Sequence, residues 1–132
     1  MNMEKWLAPI KIFYIEDDPE MIDLVSIILS NKGYQVSSAN TGLQGIKLIH
    51  DLNPDIVLLD IMMPDIDGWD VVQLLKNNEL TCHIPIVMIT AKSQAIDRVL
   101  GLHIAKVDDY ITKPFLPQQL YESIESVLCK RK

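Results

Sequence analysis

Five short apolar segments recur along the chain and predict the strands of a β-sheet. Three of them are continuous runs rich in β-branched residues, at residues 12–15, 56–59 and 86–89. Continuous runs of this length are typical of parallel strands that are covered on both faces. Two weaker segments lie at residues 35–39 and 110–112, and the first alternates between apolar and polar positions. That alternation predicts a strand at the edge of the sheet.

Stretches with helical spacing separate the predicted strands. Asp18 followed by Pro19 predicts an N-cap with proline in the first turn, and Thr41 opens a second helix. Further helices are predicted from about residue 69, after Ser93 and from Pro117. The predicted inward positions are Met21, Leu24, Val25, Ile28 and Leu29, then Leu43, Ile46 and Ile49, then Val72 and Leu75, then Ala95, Val99 and Leu102, and lastly Leu120, Ile124, Val127 and Leu128.

The order of a strand and then a helix, repeated five times, predicts an α/β fold. Short loops cannot join parallel neighbours directly, so each strand must reach the next through a crossover helix. The expected product is an open, doubly wound sheet of five parallel strands between two helical layers, a flavodoxin-like (βα)5 three-layer sandwich. We take the strand order 2-1-3-4-5 from that class of fold rather than from the spacing.

Length and composition limit the number of domains and the class of partner. The chain has 132 residues, 48% of them hydrophobic, which suits one domain with a sizeable core. We predict an N-terminal extension at residues 1–9, one domain at residues 10–129 and a basic tail at residues 130–132. No apolar run approaches the ~18 residues of a membrane span and no secretory signal is evident, so a cytoplasmic protein without membrane contact is expected. The formal net charge of −6 argues against direct nucleic acid binding and favours a cation or a basic partner.

Reactive side chains follow four of the predicted strands. Glu16 and Asp17 follow the first strand, Asp60 the third, Thr90 the fourth and Lys113 the fifth. Ligand sites of such sheets lie beyond the carboxyl ends of the strands, so these groups are expected to converge. Two carboxylates about 4 Å apart repel by roughly 4 kcal/mol at an effective dielectric of about 20. A hard divalent cation resolves that repulsion, and Mg²⁺ fits best because it accepts a few carboxylates and shares phosphate oxygens.

Four segments together carry a resemblance to a known family. They read IEDDP at residues 15–19, DIVLLDIMMP at 55–64, IPIVMITA at 84–91 and DDYITKPF at 108–115. With these segments in this order, the chain resembles the receiver domain of two-component response regulators, in the chemotaxis-regulator-like superfamily, from about residue 10 to residue 129. The resemblance implies a signalling phosphoacceptor and not an enzyme, since such a domain catalyses only its own phosphorylation and dephosphorylation.

The resemblance also implies an acceptor and a metal site. Asp60 is expected to take a phosphoryl group from the histidine of a sensor histidine kinase or of a phosphotransfer protein. The carboxylates of Asp17 and Asp60 and the backbone carbonyl of Met62 are expected to bind Mg²⁺, or Mn²⁺ in its place. Glu16 is expected to reach the ion through a bound water.

A switch and an output surface are implied in the same way. Thr90 and Tyr110 are expected to form the switch pair, with the threonine moving toward the phosphoryl group and the ring turning inward behind it. Thr90 and Lys113 are expected to contact the phosphoryl oxygens, and the bond between Lys113 and Pro114 is expected to be cis. The fourth helix, fifth strand and fifth helix are expected to carry the signal, either to a phosphorylation-dependent homodimer or to a fused output domain.

One segment departs from the receiver pattern. Receivers usually have Gly-Ala before the acidic pair, whereas this chain has Lys106 and Val107, and its interval from Thr90 to Tyr110 is one residue longer. A glycine lost there removes an easy left-handed turn, so we expect the loop to take another path. Met62, two residues after the acceptor, is expected to shield the acyl phosphate and slow its hydrolysis.

Two other classes of function remain open. A flavin- or nucleotide-binding flavodoxin-like protein would receive phosphate on a glycine-rich turn, but the chain has neither GxGxxG nor GxxxxGK(S/T), and its first turn is acidic. A metal-dependent aspartyl-phosphate hydrolase would have a second aspartate two residues after the nucleophile, where this chain has Met62. The receiver is therefore the favoured function.

Overall fold

The computed structural model describes residues 8–91 and 95–130, without the side chains of residues 95 and 96. Four predicted features lie outside the described residues: most of the N-terminal extension, the helix start after Ser93, the side chain of Ala95 and the last two residues of the basic tail.

The strands are β1 (Lys11–Ile15), β2 (Gln35–Ala39), β3 (Ile56–Leu59), β4 (Ile86–Thr90) and β5 (Asp109–Thr112). The helices are α1 (Pro19–Ser30), α2 (Gly42–Leu52), α3 (Gly68–Lys76), α4 (Ala95–Val99), which continues into a π-helical segment (Leu100–Ile104), and α5 (Pro117–Lys130).

All neighbouring strands of the sheet pair in parallel, in the order β2-β1-β3-β4-β5. The register joins Ile15 to Leu59 and Thr90 to Thr112, so the carboxyl ends of four strands lie along one edge. The predicted fold class and strand order are confirmed. None of the helices in the described part of the chain is long and apolar enough to cross a bilayer.

Hydrophobic residues fill the space on both faces of the sheet. The apolar strands β1, β3 and β4 contribute alternate residues to each face, because successive side chains point to opposite sides. Helices α2 and α3 cover one face through Ile49, Val71 and Leu75, and α1 and α5 cover the other through Val25 and Ile124. The central strands are therefore buried on both faces, as their continuous apolar runs predicted.

Side-chain caps begin three of the helices. Asp18 accepts the backbone N–H of Glu20 at 3.0 Å and Thr41 accepts that of Gln44 at 3.2 Å, so both predicted N-caps are confirmed. Asp67 begins α3 in the same way. These caps stabilise each helix by about 1 kcal/mol and fix where the chain turns away from the sheet.

Three positions predicted to face inward are exposed. Leu24 is 50% exposed, Leu43 58% and Val99 46%, so those predictions are wrong. In α1 the face that packs on the sheet runs through Val25, Ile28 and Leu29, and Leu24 lies about 100° away from Val25 around the helix. An apolar residue at the margin of a helical stripe satisfies the spacing without reaching the core.

The departure before β5 is accommodated within the helix. The N–H of Ala105 donates to the carbonyl of Leu100 at 2.8 Å, a bond over five residues that absorbs one extra residue in the turn. Lys106 then adopts a left-handed conformation, with φ of 60°. The expectation that this loop avoids the left-handed turn is therefore wrong. The left-handed conformation of Lys106 costs about 1–2 kcal/mol. The N–H of Val107 donates to Gly101 and that of Asp108 to Ile86, which fixes the loop on both sides.

Candidate functional site

Three carboxylates meet at the edge formed by the ends of β1 and β3. Ligand oxygens of Glu16, Asp17 and Asp60 all lie within 4.8 Å of one another. The pairing of Ile15 with Leu59 brings them together, because the acids directly follow this pair. Glu16 is 1% exposed and Asp60 5%, whereas Asp17 is exposed. The predicted convergence of these acids is therefore observed.

Lys113 provides the positive charge of this cluster. Its ammonium donates to Asp60 Oδ2 at 3.0 Å and also to Glu16 Oε1. The backbone N–H of Lys113 donates to the carbonyl of Thr90 at 2.8 Å, and its bond to Pro114 is cis, as predicted. Burial lowers the pKa of Lys113, but the hydrogen bonds to Glu16 and Asp60 and the negative charges of these two acids together outweigh burial and raise the pKa above the usual value. The lysine is therefore charged and bridges two acids.

Both carboxylate oxygens of Glu16 accept hydrogen bonds from neighbouring residues. Oε1 accepts the hydroxyl of Tyr14 at 2.9 Å as well as the lysine, and Oε2 accepts the N–H groups of Asp17 at 3.1 Å and Asp18 at 3.4 Å. Burial raises the pKa of Glu16, while the hydrogen bond from Lys113 opposes that shift, and the net pKa lies above the usual value. Burial and the charge of Glu16 also raise the pKa of Tyr14, so its hydroxyl stays a donor.

The carboxylate of Asp60 is oriented by two donors. Oδ1 accepts the backbone N–H of Met62 at 3.1 Å, and Oδ2 accepts Lys113. The loop after Asp60 folds back on the strand, where the N–H of Gly68 donates to the carbonyl of Ile61 at 2.8 Å. A Cβ at Gly68 would lie 2.6 Å from the Asp60 carbonyl oxygen, so only glycine allows this close return. The side chain of Met62 is 57% exposed beside the acceptor.

Thr90 and Tyr110 lie on the neighbouring strands β4 and β5. Thr90 is fully buried at the end of its strand, and the Tyr110 ring is 2% exposed. Gly101 lies against this ring, Trp69 packs against the same core cluster, and Arg98 donates to the Tyr110 carbonyl at 2.8 Å. Burial, with the charge of Asp97 adding to it, raises the pKa of Tyr110 to about 12. The ring is therefore neutral and already buried, and its movement as part of a switch stays a prediction.

Two residues near the site escaped the sequence reasoning. Tyr14 was counted only as a strand residue, although a polar tip two positions before Glu16 points to the same face of the sheet. Asp65 caps a distant helix, accepting the N–H groups of Gly42 and Leu43 at 2.9 Å each. The hydrogen bond from Leu43, with a second from Gly42, lowers the pKa of Asp65. The loop that follows Asp60 is thereby attached to the start of α2.

An open groove of about 500 Å³ adjoins the acidic cluster. It is lined by Asp17 and by residues 61–67. A larger cavity of about 750 Å³ lies at the opposite edge of the sheet, against Lys11, Asp55 and His83. The acids, the lysine and the buried threonine all lie at the carboxyl edge, so the groove lined by Asp17 is the one of these two that adjoins them.

Known proteins are similar to this chain in both sequence and fold. Residues 12–125 match the family described as the response regulator receiver domain. The chain belongs to this family. RpaA of Synechocystis sp., named a DNA-binding dual master transcriptional regulator, is 41% identical over 118 residues, which cover 89% of this chain and 48% of RpaA. The DNA-binding response regulator MtrA of Mycolicibacterium smegmatis is 36% identical, with coverage of 89% and 50%.

A solved structure has the same architecture. The putative response regulator from Chloroflexus aurantiacus superposes with a TM-score of 0.87 at 29% identity, covering 92% of this chain and 99% of that one. The receiver domain spans about half the length of the curated relatives that it matches. Membership of the family favours the receiver over the flavin- or nucleotide-binding protein and the aspartyl-phosphate hydrolase.

Proposed function

We propose that this receiver domain accepts a phosphoryl group onto Asp60 from the phosphohistidine of a sensor histidine kinase or phosphotransfer protein. The observation that carries the proposal is the setting of Asp60, whose two oxygens are held by Met62 and Lys113 beside two further acids. A carboxylate fixed in this way is oriented for attack without a search through rotamers.

In the proposed reaction, a carboxylate oxygen of Asp60 attacks the phosphorus of the phosphohistidine. The new O–P bond forms as the P–N bond breaks, and the electron pair of that bond returns to the imidazole nitrogen. The ammonium of Lys113 lies 3.0 Å from Asp60 Oδ2. It donates to a phosphoryl oxygen as the negatively charged phosphoryl group is transferred to Asp60. The hydroxyl of Thr90, at the end of the adjacent strand, donates to another.

The donor set of the acidic cluster fits a magnesium ion. Asp17 and Asp60 offer carboxylate oxygens, Met62 is proposed to add its backbone carbonyl, and Glu16 is proposed to act through water. Oxygen donors of this kind suit Mg²⁺, and Mn²⁺ by the same chemistry. When bound, the ion supplies charge neutralisation for the transferring phosphoryl group.

The proposed output follows from Thr90 and Tyr110. Phosphorylation would draw the threonine hydroxyl toward the phosphoryl group and stabilise the buried position of the ring, which changes the surface of α4, β5 and α5. The named relatives are DNA-binding regulators about twice as long as the matched region, which supports a fused output domain. A phosphorylation-dependent homodimer is the alternative form of output. The domain itself is proposed to act in the cytoplasm as a phosphoacceptor that catalyses only its own phosphorylation and dephosphorylation.

The experiment follows phosphorylation by acetyl phosphate, a small phosphodonor, in the presence of MgCl2 or a chelator. The parent, Asp17→Asn and the control Asp23→Asn, an exposed aspartate of α1, are compared by intact mass over time. We expect Mg²⁺-dependent modification of the parent and the control, and a rate at least about tenfold lower for Asp17→Asn at limiting Mg²⁺. Equal modification of the parent with MgCl2 and with the chelator would contradict the proposed metal role.

A further inference from the structure

Tyr14 places a polar group behind the acidic cluster. Its side chain is completely buried within β1, in the core covered by α1 and α5. Only the hydroxyl reaches the site, where it donates to Glu16 Oε1 at 2.9 Å. The neighbouring strand residues Ile12, Phe13 and Ile15 are purely apolar, so the hydroxyl is the single polar side-chain atom that β1 buries before Glu16. A buried hydroxyl is stabilising only while it has its hydrogen-bond partner, which ties the tyrosine to this carboxylate.

Glu16 has a defined position because four donors share its two oxygens. The hydroxyl of Tyr14 and the ammonium of Lys113 share Oε1, and the two N–H groups of Asp17 and Asp18 share Oε2. Three of these donors also take part in the site or in its loop. Tyr14 is the one that belongs to the rigid core, so it anchors the carboxylate to the sheet.

The position of Glu16 also affects the acceptor. Lys113 contacts Glu16 and Asp60 at once, so a displaced Glu16 carries the ammonium with it. The negative charge that faces Asp17 and Asp60 is displaced by the same movement. A metal ion binds most tightly to charges that are already in place, because no binding energy is then spent on ordering them.

We propose that Tyr14 is a positioning residue that raises the Mg²⁺ affinity of the acidic cluster by holding Glu16 through its hydroxyl. The inference rests on the proposed function, since it concerns the metal site of that same reaction. Partners of direct metal ligands typically contribute about 10–100-fold to affinity. Tyr14 acts one step further away, through a carboxylate that reaches the ion by water, so we expect about 3–10-fold.

The test is a calorimetric titration of MgCl2 into the parent, Tyr14→Phe and Tyr121→Phe. Phenylalanine keeps the ring and removes only the hydroxyl. Tyr121 is a matched control, because its hydroxyl also donates at 2.9 Å, to the carbonyl of Ile28, and its ring packs against the same core. We expect Tyr14→Phe to bind Mg²⁺ about 3–10-fold more weakly and Tyr121→Phe to bind like the parent.

Two further readouts separate positioning from general stability. In metal-free protein, the amide resonances of Asp17 and Asp18, which donate to Glu16, are expected to shift in Tyr14→Phe and not in Tyr121→Phe. In phosphorylation by acetyl phosphate, Tyr14→Phe is expected to raise the Mg²⁺ concentration for half-maximal rate, whereas Tyr121→Phe is expected to leave that concentration unchanged. A purely structural role would lower the melting temperature without moving that concentration.

The outcomes distinguish this inference from the proposed function. If the parent binds Mg²⁺ and Tyr14→Phe binds it equally or more tightly, the positioning role is overturned and the proposed function stands. Equal weakening in Tyr14→Phe and Tyr121→Phe also overturns it, because the effect would then be one of stability. A parent that binds no Mg²⁺ overturns both the metal role and the inference.

Discussion

A single methyl group at Gly101 is expected to disturb the buried position of Tyr110. A Cβ built on Gly101 would lie 2.9 Å from Cδ2 of Tyr110 and 3.2 Å from Cη2 of Trp69. Carbon atoms pack best at about 3.5–4.0 Å, so the methyl of Gly101→Ala overlaps the ring by at least about 0.6 Å. The ring of Tyr110 must turn, or the π-helical segment must move away from it.

The size of the effect follows from two opposing contributions. Overpacking of a core typically lowers the free energy of unfolding by about 1–3 kcal/mol. Replacing glycine by alanine in a helix stabilises it by up to about 1 kcal/mol. We therefore expect Gly101→Ala to lower the free energy of unfolding by about 1–2 kcal/mol and the melting temperature by roughly 4–8 °C.

Urea unfolding followed by circular dichroism measures this loss, and a double-mutant cycle assigns it to the ring. In the background of Tyr110→Ala the closest contact of the methyl is removed and the one with Trp69 at 3.2 Å remains, so the loss from Gly101→Ala is expected to be smaller there. The reasoning is refuted if Gly101→Ala is as stable as the parent. It is refuted equally if the loss is the same with and without the tyrosine ring, because the contact would then play no part.

Three further predictions concern residues of the loops. Lys106→Gly, which removes a left-handed lysine, is expected to raise the free energy of unfolding by about 0.5–1 kcal/mol in urea; an unchanged midpoint would argue against strain at this residue. Asp65→Asn keeps only one acceptor for the two N–H groups at the start of α2, so we expect a loss of about 1 kcal/mol at pH 7. Because those bonds lower the pKa of Asp65, its contribution is present above the unfolded pKa of about 3.9 and disappears as the pH falls through the folded pKa. Parent and variant should therefore converge in acid, and a constant difference between pH 7 and acid would contradict this assignment. Met62→Asn is expected to speed loss of phosphate from Asp60 by about fivefold, the equivalent of one hydrogen bond of about 1 kcal/mol to attacking water; an unchanged half-life of the phosphorylated protein would show that Met62 does not shield it.

The sequence predicts the sheet well because continuous apolar runs leave little choice of structure. A strand such as β3, apolar at every position from Ile56 to Leu59, must be covered on both sides, and helices with caps at Asp18 and Thr41 provide the cover. The margins of the helices were less predictable. Leu24 fits the spacing of α1 but lies beside the buried face, because the spacing alone does not fix how a helix is rotated on the sheet.

Contacts between segments that are distant along the chain could not be predicted from the sequence. The extra residue before β5 was visible in the sequence, but its accommodation in a π-helical turn, the left-handed Lys106 and the close approach of Gly101 to Tyr110 were not. The bond from Asp65 to α2 spans more than twenty positions and has no local signal. Tyr14 did carry a signal, since residues i and i+2 of a strand share a face, and that rule links its hydroxyl to Glu16.

The most direct test of phosphoryl acceptance at Asp60 is the intact mass of the protein after incubation with MgCl2 and acetyl phosphate. The parent, Asp60→Ala and the control Asp23→Ala are measured side by side. We expect one phosphate adduct on the parent and on Asp23→Ala, and none on Asp60→Ala, because the acceptor oxygens are then absent. A parent without any adduct, or an adduct that persists in Asp60→Ala, would contradict the assignment of Asp60 as the phosphoacceptor.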